Sequence, residues 1–180
     1  MANEPQQAFA LWITGLPASG KSAITAALVK QLEARNVRIA VLESDELRKQ
    51  FSQKPSYDAQ DREYFYGSLA FIGKVLTEQG ISVIFDATAN RRAYRDRARQ
   101  QIPRYLEAYV DTPLELCIQR DPKGIYRRGS EGEAQHVPGL QTAYEAPLAP
   151  DIILHGAQEP PEVAARRIVK LLVSRQMIAP

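Results

Sequence analysis

One octapeptide decides most of what this chain can fold into: Gly15-Leu16-Pro17-Ala18-Ser19-Gly20-Lys21-Ser22 fits G-x-x-x-x-G-K-S. The apolar run Phe9 to Thr14 stands in front of it, and behind it Ile24, Leu28 and Leu32 fall on one helical face. A loop between a buried strand and an amphipathic helix curls so that successive N–H groups face a phosphate, to which the helix adds the positive end of its dipole. Lys21 is then placed to reach the β- and γ-phosphates of a nucleotide, and the Ser22 hydroxyl to bind Mg²⁺. An accidental glycine-rich turn has no reason to carry both flanking patterns.

Further apolar runs at Val37 to Leu42, Ile81 to Phe85, Tyr105 to Val110 and Ile152 to Leu154 read as buried strands. Helical patterns alternate with them, ending with Ala164, Ile168, Leu171 and Leu172 on one face. The alternation implies an α/β fold with a mainly parallel five-stranded sheet covered on both sides, a three-layer αβα arrangement. Thr112-Pro113-Leu114-Glu115 has the form of a capping box with proline at the first helical position, and Gly80 is placed to close the helix before the third strand. Residues 121–150 are rich in glycine, proline and charge without periodicity and read as a mobile lid on a single domain spanning 1–180.

Bulk composition removes several classes of function. Lys and Arg total 23 against 21 Asp and Glu, and this net charge of +2 does not point to a protein that coats nucleic acid through counterion release, so any basic residues that matter are local. No run approaches the roughly 18 apolar residues of a membrane span. The start MANEPQQ lacks the order of a secretory leader, and one cysteine, Cys117, forms no internal disulfide, so cytoplasm is the expected location.

A phosphate loop alone does not separate kinase, GTPase, motor and switch. In doubly wound folds the discriminating groups lie at the C-terminal ends of the strands. The second strand leads into Asp45, a carboxylate able to accept a proton from a substrate hydroxyl or to hold a metal-bound water. Arg48 follows one helical turn later and suits a substrate anion, although the same pair also reads as a helix start with an acidic first turn. Asp86 ends the third strand in the manner of a metal-positioning acid or a simple turn residue. Arg91, Arg92, Arg95, Arg97 and Arg99 read mostly as a solvated helix face, with one or two directed at the site. Phe65, Leu69 and Ile72 form an apolar face, core rather than interface, with Tyr66 on another face.

From about Ala10 to Leu154 the chain resembles the adenylyl-sulfate kinase family. The most specific part is Val110-Asp111-Thr112-Pro113-Leu114-Glu115, followed by Cys117, Arg120-Asp121-Pro122-Lys123-Gly124, Tyr126 and Tyr144-Glu145-Ala146-Pro147. The resemblance implies an ATP- and Mg²⁺-dependent kinase that phosphorylates the 3′-hydroxyl of adenosine 5′-phosphosulfate, and a homodimer. It implies that Asp45 lies near the reacting hydroxyl with Arg48 and Arg62 on the acceptor, and that Tyr57 stacks on the acceptor's adenine where the family uses phenylalanine. It places Lys123 on the transferring phosphate and Arg120 near the ATP base.

The departures cluster on the acceptor side. The family's N-I-R-R is here Phe65-Tyr66-Gly67-Ser68, which removes an amide and two cations. Its F-I-S-P-Y-R is Ala87-Thr88-Ala89-Asn90-Arg91-Arg92, so the serine at times described as a phosphorylated intermediate falls on Ala89; direct in-line transfer does not need it. The lid's F-T-G-I becomes Val137-Pro138-Gly139-Leu140, and Val137 in place of a second stacking aromatic weakens base binding by roughly 1–3 kcal/mol. Residues 85–92 also resemble the D-A-T-x-x-R-R stretch of small kinases acting on non-nucleotide hydroxyls. The alternatives are therefore a kinase with another nucleotide-like or small-alcohol acceptor, and a nucleotide-binding regulator without turnover.

Overall fold

The computed structural model describes residues 7–52 and 55–180. Its strands are β1 (Ala10–Thr14), β2 (Ile39–Glu43), β3 (Ser82–Asp86), β4 (Tyr105–Asp111) and β5 (Ile152–His155). Its helices are α1 (Lys21–Glu33), α2 (Ser44–Phe51), α3 (Ala59–Glu78), α4 (Arg92–Gln101), α5 (Leu114–Arg120), α6 (Ile125–Ser130) and α7 (Pro161–Ser174). The strands form one sheet in the order β2-β3-β1-β4-β5, every pair parallel. Among the described residues no helix is long and apolar enough to cross a membrane.

The period-two alternation of β1 divides the core. Leu11 and Ile13 point to the side covered by α1 and α7, where Ile24, Leu28, Leu32, Ile168 and Leu172 are buried. Ala10 and Trp12 point to the opposite side, against Phe65, Leu69, Tyr94 and Ala98 of α3 and α4. The expected αβα layering follows. Phe65 and Leu69 do belong to the core, but so does Tyr66, whose hydroxyl accepts from the Ala89 N–H at 3.1 Å.

Helix α3 ends as Gly80 requires: its φ is +75°, its N–H donates to Thr77 O at 3.1 Å and the Ile81 N–H to Leu76 O at 3.0 Å, a Schellman closure. Gly73 permits a close approach between α3 and β3. A Cβ there would lie 2.2 Å from Cζ of Phe85, whose ring is stacked on Trp12 and has no room to retreat. Gly73→Ala is expected to destabilise the fold by about 2 kcal/mol and lower Tm by about 4–8 °C, measured by thermal denaturation.

The structure departs from the sequence reading at one point and adds detail at two others. The capping box does not form: Thr112 Oγ1 donates to Ser19 O in the phosphate loop at 2.9 Å, and α5 begins after Pro113 with no side-chain cap. Residues 121–150 carry one short helix: Asp121 accepts from the N–H groups of Ile125 at 2.7 Å and Arg127 at 2.9 Å and so starts α6. The arginine-rich stretch is a solvated face only in part: Arg91 and Arg99 are exposed and Arg92 and Arg97 half-buried. Arg95 is buried and donates to Glu107 at 2.6 Å and to the Glu145 carbonyl at 2.7 Å, while Arg92 Nε holds the Ala146 carbonyl at 2.8 Å and Arg97 pairs with Glu63. These three arginines join elements of the scaffold.

Candidate active site

The C-terminal ends of the parallel strands open into two cavities. The first, about 340 Å³, is lined by Gly20, Lys21, Ser22, Glu43, Asp86, Arg120 and Asp121. The second, about 760 Å³, is lined by Arg48, Tyr57, Arg62, Tyr66, His136 and Val137. Asp45, Lys123, Thr88 and Pro17 belong to both walls, so the acid and the lysine stand where the two spaces meet.

In the phosphate loop, Gly20 sits at φ +109° as the residue before α1. The Lys21 ammonium turns back on the loop, donating to Leu16 O at 2.8 Å and Gly15 O at 3.1 Å. Burial pulls its pKa below the ordinary lysine value, against the opposing pull of Asp86 and then Asp45. Gly15, Leu16 and Ser19 shape the loop without lining the cavity: a Cβ on Gly15 would lie 2.7 Å from Val110 O, and Leu16 packs against the small cluster of Cys117, Tyr126 and Val137. Tyr126 Oη donates to Pro17 O at 3.2 Å, joining that cluster to the loop.

Lys123 Nζ donates to Asp45 Oδ2 at 2.6 Å and lies 3.6 Å from Glu43 Oε1. The hydrogen bond to Asp45 raises the lysine's pKa, and burial followed by the Asp45 charge raises that of Glu43. Glu43 was not singled out in the sequence because it ends a strand without a motif. The Thr88 carbonyl accepts from Thr14 Oγ1 at 2.7 Å, which fixes the turn after β3.

On the acceptor side Arg48 is 5% exposed, with Nη1 donating to Asp61 at 2.7 Å. Arg62 donates through Nε to Tyr57 O, through Nη1 to Asn90 Oδ1 and through Nη2 to His136 O, at 2.7, 2.8 and 2.7 Å. Burial lowers its pKa. These bonds hold Tyr57 at φ +59° and join α3 to residues 121–150. Val137 is buried between the cavity and its own cluster, whereas Leu140, 41% exposed, lines neither cavity. Arg120 lines the first cavity and donates to Gly156 O at 2.9 Å. Ala89, buried at φ +40°, has no hydroxyl to offer.

Ser22 and Asp86 present hard oxygen donors to the first cavity, and no group of three or more His, Cys, Asp or Glu among the described residues could hold a metal by itself. That donor set suits Mg²⁺ held largely through nucleotide phosphates rather than in a protein cage.

A phosphate loop at one cavity, an acid and a lysine on a shared wall and a second cavity beyond them define a P-loop phosphotransferase acting on a small acceptor. The adenylylsulphate kinase family model matches residues 7–155. A probable adenylyl-sulfate kinase of Pseudomonas aeruginosa is 34% identical over 90% of this chain and 76% of its own, and the adenylyl-sulfate kinase of a Synechococcus strain is 34% identical over 83% and 85%. The Mycobacterium tuberculosis APS kinase solved with AMPPNP and APS superposes with a TM-score of 0.87 at 29% identity, over 93% of this chain and 99% of that one. The chain belongs to the adenylylsulphate kinase family.

Proposed function

We propose that the chain transfers the γ-phosphoryl group of ATP to the 3′-hydroxyl of adenosine 5′-phosphosulfate, giving 3′-phosphoadenosine 5′-phosphosulfate for sulfate assimilation. The observation that carries this is the shared wall: Asp45 and Lys123 stand between a phosphate-loop cavity and a cavity lined by two arginines and Tyr57. Asp45 accepts the hydroxyl proton as that oxygen bonds to the γ-phosphorus and the bond to the β-phosphate oxygen breaks. Lys123 leaves Asp45 for the transferring group, which frees the carboxylate to act and brings positive charge to the phosphoryl oxygens. Lys21 gives up its two loop carbonyls for the β- and γ-phosphates. Ser22 and Asp86 would hold Mg²⁺, which when bound supplies charge neutralisation at those phosphates. Tyr57 offers a face to the acceptor's adenine, Arg48 and Arg62 serve its anionic end, Arg120 borders the ATP base, and Val137 contributes from the lid, with Leu140 reaching the acceptor only on lid closure.

We further propose a single domain over 1–180 whose residues 121–150 close as a lid, located in the cytoplasm and forming a homodimer. The stripe of Tyr64, 74% exposed, and Phe71, 59% exposed, on α3 is the surface a second copy would cover. Tyr64→Asp with Phe71→Asp is expected to leave a monomer in analytical ultracentrifugation; an unchanged sedimentation coefficient would place the contact elsewhere.

The acceptor is tested by ADP release from Mg-ATP against a panel of adenosine 5′-phosphosulfate, adenosine 5′-monophosphate and small alcohols. Stimulation by adenosine 5′-phosphosulfate well above the others is expected. Stimulation by another acceptor alone would reassign the substrate, and tight ATP binding with no stimulation by any of them would favour a regulator.

A further inference from the structure

The buried Arg48 guanidinium is held from two directions by one helix. Asp61 and Phe65 are four residues apart on α3 and share a face. Asp61 Oδ2 accepts from Nη1 at 2.7 Å, and the Phe65 ring lies 3.9 Å from the guanidinium carbon, nearer than the rings of Tyr57 at 4.8 Å and Tyr66 at 5.6 Å. The same carboxylate oxygen accepts the Tyr57 N–H at 3.2 Å, so the stacking residue and the arginine share one anchor. Nη2 of Arg48 is fully covered and has no hydrogen-bond partner among the described residues. The Arg48 residue itself lines the acceptor cavity. Phe65 stands where the resembling family carries an amide, so the aromatic support belongs to this chain's own solution.

We infer that Asp61 and Phe65 form a clamp that orients Arg48 for the acceptor's anionic group, with Phe65 a positioning residue acting through the arginine. Asp61 fixes one edge of the guanidinium by a charge-assisted hydrogen bond, and the ring fixes its plane by cation–π contact. This rests on the function proposed above.

The test is steady-state kinetics on Phe65→Leu, Phe65→Tyr, Arg48→Lys and the double variant Phe65→Leu/Arg48→Lys. Phe65→Leu keeps the apolar bulk and loses the π face. It is expected to raise KM for adenosine 5′-phosphosulfate about ten-fold, the size of a desolvated cation–π contact, with kcat and KM for ATP within about two-fold. Phe65→Tyr is expected to restore the parent KM. In the Arg48→Lys background the Leu substitution adds less than about two-fold. An unchanged KM in Phe65→Leu, an equal rise in both backgrounds, or a joint fall of kcat and Tm would each overturn the clamp.

A second readout does not depend on turnover. Ring current from Phe65, the nearest of three rings, is expected to shift the Arg48 side-chain protons upfield in NMR spectra; in Phe65→Leu that shift is expected to shrink, and the affinity for inorganic sulfate titrated in the same spectra to fall about ten-fold. A parent protein that gives no product with adenosine 5′-phosphosulfate but shows both effects would defeat the proposed function and leave the clamp standing. Absence of both effects would defeat the clamp whatever the enzyme turns over.

Discussion

Lys21→Met lowers kcat by about 10³-fold or more while the protein stays folded. The ammonium is the cation buried in the phosphate loop, and its two contacts there are carbonyls that a nucleotide's phosphates replace. A methionine of similar length keeps the packing of the lysine stem and removes the positive charge that Asp86 and Asp45 face. Circular dichroism and Tm close to the parent's would separate the loss from unfolding, and the rate is read as ADP release at saturating ATP and acceptor. A variant retaining a tenth of the parent rate would mean that Lys21 does not reach the transferring phosphate.

Glu107→Ala is expected to destabilise the fold by about 3–5 kcal/mol and to lower Tm by about 10 °C or more. Glu107 on β4 accepts from the buried Arg95 at 2.6 Å and from Arg99 at 3.1 Å. Arg95 also donates to the carbonyls of Ala89 and Glu145, where the turn after β3 meets the segment returning from α6. Removing the carboxylate leaves a guanidinium 1% exposed without its charge partner, and replacing it by water means opening the joint between α4 and β4. Differential scanning calorimetry reads the shift, and a change under about 2 °C would show that water or Asp151 takes over the charge.

The contrast between these two sites explains how far the sequence could be read. The phosphate loop is local: glycines, lysine and serine act at fixed spacing between a strand and a helix whose periodicities are visible in the same stretch. Strand positions were legible for the same reason, and each observed strand lies within two residues of its expected bounds. Gly80 was legible because a helix end requiring positive φ names its own residue. Arg95, Thr112 and Arg62 were not, because their partners are set by tertiary packing: Glu145 is 50 residues from Arg95, Ser19 is 93 from Thr112, and His136 is 74 from Arg62. Thr112 carried a sound local signal that a loop carbonyl outbid. Arg62 was expected from family resemblance to serve the acceptor, and its contacts in this structure tie Tyr57, Asn90 and His136 together as well. Nothing local distinguished Val137, which reaches both a cavity and a buried cluster, from Leu140, which reaches neither cavity.

The central claim is tested most directly by finding where the phosphate goes. The protein is incubated with Mg-ATP labelled at the γ-position and adenosine 5′-phosphosulfate, and the nucleotide product is analysed by mass spectrometry and ³¹P NMR. The geometry of Asp45 between the two cavities predicts one added phosphate, carried by the 3′-oxygen of the acceptor's ribose, with ADP formed in equal amount. Labelled phosphate released only to water, or attached to an acceptor other than adenosine 5′-phosphosulfate, would contradict it.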